Sequence, residues 1–268
     1  MGVRALLLSA GLGTRLRPLT DLWPKCLMPV RKRPLLEYWL ETLRRSGIER
    51  VLVNLHYIPE PFRDFLKQPQ YEGWVETSYE PVLLGTAGTL RANADFFKGH
   101  DILLIHTDNY CCCDFQDFLD YHQTRRPPQT LMTMMTYSTT IPHACGIVKL
   151  DPQGVVREFH EKVKNPPGNL ANAAVYFLDH HILEWLLKQP SDVTDMSTQI
   201  LPQFIGNIAT WHNDLCHRDI GTLPNFKAVQ NDPVPFFFEE LPSTVWQEKF
   251  EQHPIHQYIN QLLYDSSI

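Results

Sequence analysis

The chain has 268 residues, 43% of them apolar and 20% charged, which is enough for one large α/β domain with a sizeable core. Its formal net charge of −6 argues against a general nucleic-acid binder, which needs basic patches to neutralise phosphates, and no apolar stretch approaches a membrane span. Six cysteines, three of them adjacent at 111, 112 and 113, fit neither a disulfide framework nor a paired zinc spacing, so a reducing cytoplasm and a packing role for the triple are expected.

The apolar run at residues 5–9 predicts a buried strand, and it is too short for the core of a secretion signal. Leu6 also excludes a myristoylation signal on Gly2. A loop rich in Gly, Thr, Arg and Pro covers 11–29. Pro34 then opens a helix with Leu35, Leu36, Trp39, Leu40 and Leu43 at helical spacing, and Gly47 ends it. Strands are predicted at 51–55, 74–79 and 102–106, with helices at 61–66 and 86–97 between them. A helix at 115–122 leads to strands at 130–137, 146–150 and 155–160, the last two joined by a turn at 151–154. A strand at 173–178, helices at 181–187 and 198–205 and a strand at 209–212 follow.

This alternation predicts an α/β fold, a Rossmann-like three-layer α/β/α arrangement with a mixed, mostly parallel central sheet, over residues 1–231. From Asp232 the composition changes: Pro233 and Pro235 flank Phe236, Phe237 and Phe238, and Trp246, Phe250, Tyr258, Ile259, Leu262 and Leu263 follow. Residues 232–268 are expected to form a short helical appendage packed on the main domain or on a neighbouring subunit, a composition that also suits a homodimer contact.

The most informative stretch runs from Leu8 through Ala10, Gly11, Gly13, Thr14, Arg15, Arg17 and Pro18 to Thr20, and continues as Pro24-Lys25-Cys26-Leu27-Met28-Pro29. Glycines directly after a buried strand let backbone N–H groups approach phosphate oxygens, and Arg15, Arg17 and Lys25 add positive charge where a triphosphate would lie. A dinucleotide fingerprint is excluded, because Leu16 stands where its third glycine belongs and Pro18 interrupts the helix it requires. A Walker loop is excluded because Gly-Lys-Ser/Thr occurs nowhere.

This cassette resembles the signature of the sugar nucleotidylyltransferase family, Ala-Gly-x-Gly-Thr-Arg-Leu-x-Pro-Leu-Thr followed by Pro-Lys-x-Leu-x-Pro. The resemblance continues in order over about 220 residues: Glu80 to Gly88, Leu103 to Asp108, Ala144 to Val148, Phe159 to Lys162, Asn172 to Tyr176 and His217 to Thr222. It implies Mg²⁺-dependent transfer of a nucleoside monophosphate from a nucleoside triphosphate to a sugar 1-phosphate. Arg15 and Lys25 would be catalytic, and Asp108 and Asp219 would hold Mg²⁺. Leu8, Ala10, Gly11, Gly13, Thr14, Glu80, Gly85 and Thr86 would bind the nucleotide, and Gly146, Glu161, Lys162 and Asn172 the sugar phosphate. The partners would then be those two substrates, with no nucleic acid and no membrane.

Each carboxylate also has a structural reading, Asp108 as a helix cap and Asp219 in an Asx-turn. The chain departs from the family pattern at Thr107 and Ala174, where glycine is usual, and at Val163, where proline is usual. A carboxylate at Glu80 can accept both donors on the Watson–Crick edge of guanine. The 84–88 segment likewise resembles most the guanylyltransferases that act on mannose or manno-heptose 1-phosphates. GTP is therefore favoured, with UTP, dTTP or CTP as alternatives. A catalytically silent nucleotide-sugar-binding module is the competing class, weakened by the presence of both metal-type aspartates. No hexapeptide repeats of the kind that build a β-helix occur.

Overall fold

The computed structural model describes residues 2–239 and 241–264; the side chains of Phe236, Glu239 and Tyr264 lie outside that description. The strands are β1 (Val3–Leu8), β2 (Pro29–Val30), β3 (Arg33–Pro34), β4 (Arg50–Leu55), β5 (Val75–Tyr79), β6 (Asp101–His106), β7 (Asn109–Cys112), β8 (Met132–Ser138), β9 (Gly146–Leu150), β10 (Val156–Glu161), β11 (Leu170–Leu178), β12 (Ile208–His212) and β13 (Cys216–Asp219). The helices are α1 (Leu19–Leu22), α2 (Leu35–Arg45), α3 (Pro59–Leu66), α4 (Thr86–Ala92), α5 (Ala94–Phe97), α6 (Phe115–Asp120), α7 (His180–Leu187), α8 (Leu223–Val229), α9 (Phe236–Glu239), α10 (Val245–Glu251) and α11 (Pro254–Tyr264).

A nine-stranded sheet has the path β10-β9-β11-β6-β1-β4-β5, and β8 pairs with both β11 and β12. β1 is parallel to β4 and β6, and β4 to β5, while β11 runs antiparallel to β6, β8 and β9. The sheet is thus mixed and mostly parallel, with only β10 and β11 reversed, as the alternation of elements predicts. Side chains alternate across β1, so Ala5 and Leu7 enter one apolar cluster with α2 and α3, and Leu6 enters the other with Leu90 of α4 and Ile182 of α7. That division creates the three layers.

Several elements differ from expectation for local reasons. The helix expected over 86–97 breaks at Asn93, whose side-chain amide donates to the Thr89 carbonyl at 2.8 Å and competes with the helix backbone. The helix expected over 198–205 is a π-helical turn at Met196–Ile200 followed by a 3-10 turn at Leu201–Phe204, because Pro202 has no N–H to continue a regular ladder. β11 begins at Leu170, three residues early, and crosses a bulge where its register with β8 shifts between Asn172 and Tyr176. The two-stranded ribbon of β7 and β13 was not anticipated.

The described residues after 231 pack against the body of the same chain. Phe238, Phe250, Ile255, Ile259 and Leu263 join the cluster that holds α1, α2 and α3, and Phe238 stacks on Tyr38 with ring centroids 4.1 Å apart. Among the described residues, no helix is long and apolar enough to cross a membrane.

Candidate active site

The parallel strands β1, β4 and β6 end side by side, with Leu8 paired to Asn54 and to His106. A crevice forms beyond the carboxyl ends of such strands, where ligands of open α/β sheets bind. Here it is a cleft of about 320 Å³. Leu8, Ala10, Gly11, Gly13, Thr14, Glu80, Gly85 and Thr86, all expected at the nucleotide, line it together with Arg15, Lys25 and Asp108.

Backbone geometry accounts for the glycines unequally. Gly13 has φ +62°, and a Cβ there would meet Thr20 Cγ2 at 2.7 Å. A Cβ on Gly85, at φ +79°, would meet the Thr194 carbonyl oxygen at 2.7 Å. That carbonyl accepts from Ala87 N at 2.8 Å and so caps α4, while the Thr86 hydroxyl accepts from Met196 N at 2.7 Å. A Cβ on Gly11 would meet no protein atom within 4 Å, so packing does not explain that glycine.

Under the cleft floor lies a buried network that the sequence reading missed. Asn54 Oδ1 accepts from Ser9 N at 2.6 Å and Ala10 N at 3.2 Å, fixing the start of the signature loop. Its amide nitrogen donates to Glu80 Oε1 at 2.9 Å, and the Thr89 hydroxyl donates to the same oxygen at 2.5 Å. Glu80 Oε2 accepts from Leu84 N at 3.1 Å, and the residue is only 2% exposed. Oε1 is therefore saturated by protein donors, and the carboxylate has room for one further donor rather than two. The signal for Asn54 was available, as a lone amide in the apolar run Val51-Leu52-Val53-Asn54-Leu55.

Thr107 stands fully buried where the resembled pattern has glycine. Its hydroxyl donates to the Leu8 carbonyl at 2.9 Å and accepts from the Ser9 hydroxyl at 2.8 Å, with Cys26 Sγ 3.0 Å away. The departure thus links β6 to both ends of the signature loop.

The ribbon brings the two aspartates together. Asp219 is the Cα partner of Asn109, next to Asp108, and Ile220 N donates to the Asp108 carbonyl at 3.1 Å. Lys25, its side chain 6% exposed, reaches between them: Nζ is 2.6 Å from Asp108 Oδ2 and 3.2 Å from Asp219 Oδ1. Burial alone would lower the Lys25 pKa, but the two carboxylates outweigh it and hold the ammonium above its ordinary value. Burial likewise opposes ionisation of Asp108, and the Lys25 charge overcomes it, leaving Asp108 below the usual carboxylate range. Arg15, 67% exposed, reaches Asp219 Oδ2 at 3.3 Å from the rim. A Cβ on Gly221 would meet Asp219 Oδ1, Arg15 Nη2 and Lys25 Nζ at 2.7, 2.8 and 3.0 Å, so a side chain there would push these three groups apart.

The residues expected at the sugar phosphate lie next to the cleft, not among its lining. Glu161 and Lys162 end β10, 3.2 Å apart, and a Cβ on Gly146 would meet Glu161 Oε2 at 2.6 Å. Asn172 donates to the Tyr176 hydroxyl at 2.6 Å and accepts from Ala174 N at 2.9 Å. His106 connects the two regions: it lines the cleft, and the charges of Asp108, Asp195, Lys162 and Lys25 all act on it. Ala174 does more than add a methyl group. It sits at the β11 bulge with φ +55°, the left-handed region that favours glycine.

The nucleotidyl transferase family matches residues 4–233, nearly the whole chain. The protein belongs to that family. A mannose-1-phosphate guanyltransferase of Debaryomyces hansenii is 29% identical over 256 residues, covering 92% of this chain and 69% of the relative. Mannose-1-phosphate guanylyltransferase 1 of Arabidopsis thaliana is 29% identical over 197 residues, covering 71% of this chain and 54% of the relative. The chain spans about half the length of most of the curated relatives it matches, as in that second case. Among solved structures, HddC from Yersinia pseudotuberculosis superposes with a TM-score of 0.71 at 22% identity, covering 85% of this chain and 97% of that one. This nucleotidyl transferase therefore shares its fold with them and carries its departures, Thr107 and Ala174, on a common framework.

Proposed function

We propose that the protein transfers a nucleoside monophosphate from a nucleoside triphosphate to a sugar 1-phosphate, with GTP and a mannose-type sugar as substrates. The observation that carries this reading is the convergence of Lys25, Arg15, Asp108 and Asp219 beside a cleft built from the family's signature loop. GTP and mannose are supported by the names of the relatives rather than by Glu80, whose carboxylate keeps one free acceptor position.

The reaction is in-line attack by a sugar-phosphate oxygen on the α-phosphorus, with a new P–O bond forming as the bond to pyrophosphate breaks. It asks the chain for positioning and charge stabilisation and for no covalent nucleophile. The loop amides around Gly11 and Gly13 cradle phosphate oxygens, and Arg15, exposed on the rim, stabilises the negative charge of the leaving pyrophosphate. Lys25, buried and held charged, stabilises charge on the α-phosphate. Lys162 holds the phosphate of the sugar, and Glu161 accepts from sugar hydroxyls.

The residues present fit Mg²⁺. Two carboxylate oxygens already converge on one cation, the Lys25 ammonium, and Mg²⁺ favours one or two carboxylates with phosphate oxygens and water. Asp108 and Asp219 would hold it, and when bound it would neutralise charge on the triphosphate.

Pyrophosphate release, followed with Mg²⁺ across a panel of nucleoside triphosphates and sugar 1-phosphates, tests the proposal. Turnover is expected with one pair and should fall at least a hundredfold in folded Asp108→Asn and Asp219→Asn proteins. Nucleotide binding seen as thermal stabilisation, with no turnover on any pair, would favour the silent binding module instead.

A further inference from the structure

At the opposite ends of the strands, roughly 20 Å from the cleft along the six residues of β6, lies a second cluster of metal-ligating side chains. Asp101 opens β6, and Asp179 follows β11, whose last residue, Leu178, pairs with Ile102. His180 and His181 are the first residues of α7, and one ligand atom each from Asp179, His180 and His181 lies within 4.8 Å of the others. His180 Nδ1 is 3.2 Å from Asp179 Oδ1 and 3.6 Å from Asp101 Oδ1, and His181 Nδ1 is 2.6 Å from Asp179 Oδ1.

These spacings bracket what a four-coordinate ion needs, because bonds of about 2.0–2.1 Å place neighbouring ligand atoms about 3.3 Å apart. The cluster is also incomplete as a hydrogen-bond network. His180 Nδ1 is buried with no hydrogen-bond partner among the described residues. A second imidazole, His122, is 1% exposed and held from behind by Thr133 Oγ1 at 2.8 Å. Its free Nε2 faces Asp101 Oδ2 from 3.9 Å, beyond hydrogen-bonding range. Arg126 pairs with Asp179 Oδ2 at 3.0 Å, Asp179 Oδ1 accepts from His181 N at 3.1 Å, and Asp101 Oδ1 accepts from His180 N at 3.2 Å, so the two carboxylates share one guanidinium and otherwise meet backbone amides and imidazoles. A buried imidazole nitrogen without a hydrogen-bond partner, beside carboxylates, is a group whose polarity a bound cation would satisfy.

We infer that Asp179, His180 and His181 form a structural Zn²⁺ site at the start of α7, and that Asp101, whose Oδ1 is 3.6 Å from His180 Nδ1, closes on the ion as a fourth ligand and fastens the start of β6 to it. Imidazole ligands favour Zn²⁺ over Mg²⁺ or Ca²⁺, which take oxygen shells. The site is independent of the catalytic one: its ligands share no residue with the cleft. Its ion would brace the sheet where β6 enters, and His122 would orient Asp101 from behind, as groups around metal ligands commonly do.

Co²⁺ serves as the spectroscopic probe, titrated into untagged full-length protein first stripped with a chelator. One equivalent is expected to give the intense visible bands of a four-coordinate nitrogen–oxygen site, bleached when Zn²⁺ displaces it. The bands should persist in the Asp108→Asn/Asp219→Asn protein, which removes the other cation site. They should weaken at least tenfold in apparent affinity in both His181→Ala and His180→Gln; the His181 side chain is 58% exposed, so its loss leaves the core intact. Only pale six-coordinate absorption, bands lost with the Asp108 and Asp219 substitutions, or bands unchanged in both histidine variants would overturn the assignment.

Discussion

Ala174 is the residue whose chemistry and conformation disagree most plainly. A left-handed backbone costs an L-residue roughly 1–2 kcal/mol, because Cβ crowds the following carbonyl. The bulge of β11 imposes that conformation, and Ala174 N is held in it by Asn172 Oδ1 at 2.9 Å. The methyl group returns little, being only partly buried against the cluster on that face. Ala174→Gly is therefore expected to stabilise the protein by about 1 kcal/mol, the relief of strain exceeding the backbone entropy glycine loses. Urea unfolding measures it; an unchanged or lower midpoint would mean the bulge does not hold φ positive in solution. The family pattern made the substitution visible in the sequence, but its conformational cost was not, because the bulge arises from the pairing register with β8.

At the scale of elements, the signature loop works because two strands hold its start. Thr107, at the end of β6, bonds to Leu8 and Ser9 at the end of β1, and Asn54, on β4, bonds to Ser9 and Ala10. Thr107→Val keeps the shape and removes the hydroxyl, leaving the Leu8 carbonyl and the Ser9 hydroxyl without that partner in a dry site. A loss of about 1–3 kcal/mol in chemical unfolding is expected. The same change should raise KM for the nucleotide more than it lowers kcat, since it frees the phosphate-binding loop and removes no charge; equal effects on both would place the role elsewhere. Strands with continuous apolar runs, such as β1 and β6, were legible because burial on both faces demands that composition. The β7–β13 ribbon was not. Asn109-Tyr110-Cys111-Cys112 has no two-residue periodicity, and it pairs with residues more than a hundred positions away. That ribbon is what unites Asp108 with Asp219, so the order of motifs indicated the two aspartates while their meeting point depended on a pairing invisible locally.

At the scale of the whole molecule, the C-terminal segment braces the catalytic half, and its attachment depends on uncharged histidines. Trp23 follows α1, two residues before Lys25, and meets His253 with ring centroids 4.4 Å apart and Phe250 at 5.8 Å. His256 packs edge-on against Phe250 at 4.8 Å, and its Nε2 is buried without a hydrogen-bond partner among the described residues. Burial lowers the pKa of both rings. For His256, a backbone contact at Phe250 and the Glu251 carboxylate oppose that, while His253 and Lys32 add to it. A histidine whose pKa is lowered by docking binds more protons when released, so docking is fully favoured above the free value of about 6.5 and weakens as pH falls through the lower docked values. Acidification from pH 7.5 to 5 should therefore loosen α10 and α11 before the sheet unfolds. Hydrogen exchange, corrected for intrinsic rates, should rise in peptides from 245–264 while those of β1 stay protected. The His253→Gln/His256→Gln protein should lose that pH dependence. If exchange in the tail and in β1 rises together, or the double variant keeps the wild-type response, carboxylates elsewhere govern acid sensitivity and the histidine contacts do not. Because Trp23 and Lys25 share one short loop, tail release should also lower nucleotide affinity in parallel with exchange, making the appendage part of the active site's support.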